Sequence, residues 1–170
     1  DEVFYIGNDN CIRCSGKSKS ELYANEVNLI YSFLKKRNVE LIIWGDRMID
    51  GKETGLGMWE ASENDTYGSI DLINKDVIIA DWHYRRATNT HDYFIEKGFR
   101  VLTCPHNNKE VAKTQYDQYK NHKSENYLGM VQTIWLTNQE FIDFYHGKIQ
   151  IESGKKGSLE TYKELVSLWK

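Results

Sequence analysis

Val39-Glu40-Leu41-Ile42-Ile43-Trp44-Gly45-Asp46-Arg47 and Val77-Ile78-Ile79-Ala80-Asp81-Trp82-His83-Tyr84 decide how this chain is read. In each, a short run rich in β-branched residues ends abruptly in charged and aromatic ones. A run apolar at nearly every position suits a strand covered on both faces, as in a parallel sheet. Arg100–Cys104, followed by Pro105-His106, repeats the pattern, and Met130–Trp135 reads as a fourth strand. Proline offers no amide donor, so Pro105 suits a strand end.

Helical patterns separate these runs. Ser18 and Glu21 make a capping box that seats two amide donors at a helix start. The helix is predicted to reach about Arg37, with Tyr23, Val27, Ile30, Tyr31 and Leu34 on one face. Thr90–Lys97 is predicted as a short helix, stopped by Gly98. A third helix runs from Lys109 to about Lys123. Asn138 is expected to cap Gln139–Tyr145, and Ser158 a final helix with Leu159, Tyr162, Leu165, Val166 and Trp169 on its apolar face. Between Asp46 and Asn74 the glycines at 51, 55, 57 and 68 predict a long loop with short helical pieces. Long loops in compact domains are usually functional or mobile.

The chain has 170 residues, so residues 1–170 read as a single domain. Its net charge of −3 excludes the strongly basic footprint of a nucleic-acid binder. No apolar run approaches a membrane span, so no membrane partner is expected. Five Trp and eleven Tyr make the chain rich in the flat faces on which sugars stack, although aromatics also fill cores. The chain begins at Asp1 without an initiator Met and reads as a processed or excised piece.

Strand, helix and strand in regular succession is a repeated β/α unit. Its chemistry gathers at the carboxyl ends of the strands, as in β/α barrels. A closed eightfold barrel needs roughly 250 residues. The fold class expected is therefore α/β, with parallel β/α units forming roughly the second half of a TIM (β/α)8 barrel. A small open sheet is the alternative. If the piece stands alone, its open edges are expected to self-associate or to pair with a partner fragment.

Asp1-Glu2 is an adjacent carboxylate pair, followed by Val3-Phe4-Tyr5-Ile6-Gly7. With the barrel pattern, these residues resemble glycoside hydrolase family 20, the β-N-acetylhexosaminidases, and their bacterial relatives. In that family a His-x-Gly-x-Asp-Glu motif ends the fourth barrel strand, and Asp1-Glu2 match its last two residues. The resemblance implies that Glu2 is the general acid/base. Asp1 would orient the substrate's own 2-acetamido group for attack on the anomeric carbon, the substrate-assisted exception to the two-carboxylate scheme. A close negative neighbour and burial would keep the acid protonated.

The resemblance places Asp81-Trp82-His83-Tyr84 at the end of strand six. Tyr84 is the candidate donor to the acetamido carbonyl, with His83 as its rival. Trp82 and Trp135 are candidate pocket walls, a barrel-core place being the alternative for Trp135. Trp44 and Asp46 close strand five; Asp46 would bind a sugar hydroxyl or pair with Arg47. Trp59-Glu60 would cap the pocket from the long loop. Where the family follows its strand-eight Trp with Glu two positions on, Trp135 precedes Leu136 and Thr137, which implies a different grip on the outer hydroxyls.

The function so implied is hydrolysis of a terminal N-acetylhexosamine-type sugar by the parent protein, with retention. The isolated piece is expected to be nearly inactive, and no cofactor is implied. A periplasmic or extracellular location is implied by the resemblance only. The alternative is a carbohydrate-binding barrel module without turnover. A further alternative uses Cys11-Ile12-Arg13-Cys14 as a metal or thiol site. A structural zinc needs four ligands and no second C-x-x-C exists, so reduced thiols in a loop are expected and no metal. His106 is expected to be a hydrogen-bonding loop residue.

Overall fold

In the computed structural model, which describes residues 3–8, 10–149 and 153–169, four parallel strands form one sheet. They are β1 (Ile42–Trp44), β2 (Ile78–Trp82), β3 (Arg100–Cys104) and β4 (Tyr127–Met130), hydrogen-bonded in chain order. The class is therefore α/β with an all-parallel sheet, as predicted. Asp1 and Glu2 lie outside the described residues.

Chain-order neighbours mean that every crossover steps in the same direction. Right-handed crossovers, nearly universal for parallel strands, then put every connection on one face. Burial agrees: Ile43, Ile79 and Val101 share a core with Val27, Phe94 and Phe99. The register pairs Trp44 with Ala80, Ala80 with Leu102 and Trp82 with Cys104, so these residues share the opposite face. Ala80 and Cys104 are buried on that face, but its β1 side is open. Ile42 is 51% exposed and Trp44 39%. With Leu102 and Val131 they line an open apolar hollow of about 240 Å³. Burial on both faces thus fails for β1, because an edge strand on a one-sided sheet has neighbours on one side only.

Gly45 follows β1 under the core. A Cβ there would stand 2.8 Å from Phe94 and 2.9 Å from Ile79, so only glycine lets the chain pass.

Helix α1 (Lys19–Lys35) has the predicted capping box at Ser18 and Glu21. Its inward face is Ala24 and Val27 with Tyr23 and Tyr31, while Ile30 is exposed. The segment from Asp46 to Asn74 is a long loop with short helical pieces, as predicted. It holds 3-10 turns at Asp46–Met48 and Tyr67–Asp71 and helix α2 (Gly51–Thr54). It also gives the core Met48, Ile49, Leu56, Ala61, Ile70 and Ile73. Its glycines break the helical period, but its spaced apolar residues still build a wall where a crossover helix would lie.

Helix α3 (Thr90–Glu96) ends as expected, with Gly98 at φ +88°. Helix α4 (Lys109–Asn121) is capped by Asn108. Several boundaries are corrected, and β1 takes only Ile42–Trp44 of the apolar run that begins at Val39. Strand β4 lies at Tyr127–Met130, ahead of the predicted Met130–Trp135. Beyond Met130 the partner strand has ended at Pro105, whose nitrogen cannot donate, and the chain continues with Thr133 N–H donating to the Pro105 carbonyl at 2.9 Å. Helix α5 (Asn138–Tyr145) takes Thr137 as its cap, because Glu140 completes a capping box with it. Helix α6 (Ser153–Leu168) starts well before Ser158, and Leu159 and Leu165 are its buried apolar residues. Among the described residues no helix is long and apolar enough to cross a membrane.

Candidate functional site

Beyond the carboxyl end of β2, an open cleft of about 340 Å³ is lined by Gly57, Trp59, Glu60, Trp82, Tyr84 and Arg85. Side chains alternate along a strand, which sorts the Asp81–Tyr84 run. Trp82 and Tyr84 face the cleft, while Asp81 and His83 turn into the protein.

The buried half is a charge network. His83, 1% exposed, has Nδ1 2.8 Å from Glu60 Oε2 and Nε2 3.2 Å from Asp81 Oδ1. The first contact is a hydrogen bond. The second is off-line for one and acts as a charge contact. Asp81 is oriented by Thr90, whose hydroxyl lies 3.0 and 2.8 Å from its two oxygens. Burial alone pushes the His83 pKa down. The two carboxylates outweigh burial and raise it to about 9, so the ring is an imidazolium at neutral pH. His83 thus anchors Glu60, the cleft's carboxylate, from behind.

A second buried pair fixes the loop that carries Trp59. Arg47 Nε donates to Asp46 Oδ2 at 2.5 Å, and the other Asp46 oxygen accepts from Trp82 Nε1 at 3.0 Å. Arg47 Nη2 donates to the carbonyls of Met58 at 2.6 Å and Ala61 at 2.8 Å. Asp46 is therefore the partner of Arg47, the second of its two expected roles. With 2% exposure it holds Trp82 in place and is not open to a ligand. Phe4 stands edge-on to Trp59 with ring centres 5.4 Å apart, and the Arg47 guanidinium lies 4.8 Å from the Phe4 ring centre.

The aromatic row continues across the strand tips. Tyr84 lies 4.8 Å, ring to ring, from both Trp82 and His106. Trp135 Nε1 donates to the Tyr84 hydroxyl at 3.3 Å. Burial raises the Tyr84 pKa, so the phenol stays protonated and able to donate. Trp135 is 66% exposed, which removes a core place for it, but it sits on a loop beyond β4 and not on a strand. His106 Nδ1 lies 3.0 Å from the Thr133 carbonyl, which can only accept, so that nitrogen carries the proton. It is a loop-holding residue, as expected.

Trp82, His83, Tyr84, Asp46, Asp81 and Trp135 are thus gathered at or behind one cleft. Trp44 is not: it belongs to the open β1 side of the sheet. Trp59 and Glu60 take the position expected of them. Arg85 was missed, although its place directly after Tyr84 was the available signal. The sequence offers Arg47 only as a partner for Asp46, because it cannot show which distant carbonyls a guanidinium will reach. Among the described residues no group of three or more His, Cys, Asp or Glu is placed to hold a metal ion.

No family model and no curated protein matches this chain.

Proposed function

We propose that this chain is the carboxyl-terminal half of a β/α barrel whose cleft takes a carbohydrate, in a parent protein that hydrolyses a terminal N-acetylhexosamine-type sugar. One observation carries the carbohydrate reading. Trp59, Trp82 and Tyr84 present flat apolar faces around a cleft at the carboxyl end of a parallel strand, beside the Glu60 carboxylate and the Arg85 guanidinium. Such a surface stacks the C–H faces of a sugar ring and hydrogen-bonds its hydroxyls.

The half-barrel reading is supported by strands that neighbour one another in chain order with one apolar face partly open. In a closed barrel that face becomes the packed interior. The hydrolytic step remains as the family resemblance implies. Glu2 protonates the leaving oxygen, Asp1 orients the acetamido group, and Tyr84 donates to its carbonyl. The parent would act outside the cytoplasm, on the same resemblance.

A binding module without turnover is the second reading. Glu60, the carboxylate that lines the cleft, and Asp46 behind Trp82 are both committed to partners. One experiment separates the two: the chain, extended upstream to a complete barrel, is offered an aryl N-acetylhexosaminide and a thiazoline mimic of the cyclic intermediate. Hydrolysis lost in Glu2→Gln, with thiazoline binding retained by the native protein, supports the enzyme. Sugar binding without hydrolysis, unchanged in Glu2→Gln, supports the module. A protein that shows no sugar binding and no hydrolysis removes the carbohydrate reading.

A further inference from the structure

The loop ahead of α1 holds Cys11-Ile12-Arg13-Cys14, which the cleft does not use. The motif closes on itself as a turn: the Cys11 carbonyl accepts from Cys14 N–H at 3.0 Å and from Ser15 N–H at 2.9 Å. The fold brings the two sulfurs to 3.0 Å, with both residues partly exposed. Neither is a structural core cysteine. Cys104 is one: it is buried, and burial pushes its thiol up to about 12.

The pair is not symmetric. The hydrogen bond between the two thiols, then the amides of Arg13 and Cys14, hold Cys11 below the usual thiol range. Cys14 is raised, chiefly by that same bond to Cys11. A more acidic, accessible thiol beside a less acidic one is the arrangement of an attacking and a resolving cysteine.

We propose that Cys11 and Cys14 form a thiol–disulfide exchange site that reacts with small disulfides such as glutathione disulfide. The Cys11 thiolate attacks one sulfur of the small disulfide. The protein–glutathione S–S bond forms, the original S–S bond breaks, and a glutathione thiolate leaves and takes up a proton. Cys14, losing its proton, attacks Cys11 Sγ. The Cys11–Cys14 bond forms and the second glutathione leaves. The pair gives up two electrons and two protons; one glutathione disulfide becomes two thiols. The site stands independently of the carbohydrate reading.

The test uses the folded chain and excess glutathione disulfide, followed by acid quench, unfolding, alkylation and mass spectrometry. The reduced protein takes three labels, one for each cysteine. After treatment it is expected to lose two of them and keep only the label on Cys104. Trypsin cuts after Arg13, and the two flanking peptides should remain joined until reduced. Cys14→Ser should stop at a glutathione adduct on Cys11, and Cys11→Ser should react about tenfold more slowly at Cys14. Three labels after treatment, a lasting glutathione adduct on native Cys11, or a bridge to Cys104 would each overturn the proposal. Equal reactivity of Cys14 in Cys11→Ser would overturn the assignment of Cys11 as the attacking thiol.

Discussion

Raising the pH from 6.5 to 9 is expected to weaken this fold through His83. Its pKa stands at about 9 against an ordinary 6.5, because the carboxylates of Asp81 and Glu60 overcome the cost of burial. A group raised in the folded state stabilises fully below its unfolded pKa, and the contribution fades as pH climbs through the folded value. About 2.5 units at 1.36 kcal/mol each gives about 3 kcal/mol, lost between pH 6.5 and 9. His91 works in the opposite direction, since burial holds its pKa below 6.5. Its contribution is lost as pH falls below 6.5, so the two windows do not overlap. Urea unfolding at closely spaced pH values would measure the slope, and NMR titration of the His83 ring would give its pKa. His83→Gln should be less stable at pH 6.5 and should lose most of the slope above it. An unchanged slope in His83→Gln, or a His83 pKa at or below 6.5, would refute the reasoning.

Three further outcomes are expected. Trp59, 60% exposed, should be replaceable by Ala at a stability cost within about 0.5 kcal/mol, while affinity of the extended protein for an N-acetylhexosaminide, measured by calorimetry, falls about tenfold or more. Gly45→Ala should cost about 1–3 kcal/mol in thermal unfolding, because the added carbon meets Phe94 and Ile79 under 3 Å away. Arg47→Met should cost about 3–5 kcal/mol in denaturant unfolding, since it strands the buried Asp46 carboxylate and the carbonyls of Met58 and Ala61.

What could be read early followed from local physics. The Ser18–Glu21 box, the Gly98 stop and the bounds of β3 depend on residues a few positions apart, so the sequence carries them. The Asp81–Tyr84 run likewise announced chemistry at a strand end, and alternation along the strand already separates Trp82 and Tyr84 from Asp81 and His83. Boundaries that hang on a neighbouring strand were less legible. Met130–Trp135 looks like a strand in isolation, but its ladder depends on where the partner meets Pro105. The start of α6 was hidden by Lys155, Lys156 and Gly157, residues that signal a connector by composition. Gly157 instead marks a close approach: a Cβ there would stand 2.6 Å from the Asn107 carbonyl.

By itself, the sequence determined a parallel α/β arrangement and the set of polar and aromatic residues at the strand ends, because hydrophobic period and capping chemistry are short-range. Only the tertiary structure decided which of those residues are open to a ligand. It sealed Asp46 against Arg47, set His83 between Glu60 and Asp81, sent Trp44 to the open side of the sheet and brought Cys11 within 3.0 Å of Cys14. Charge pairing and burial depend on atoms that meet from segments far apart in the chain, and no local pattern encodes their distance.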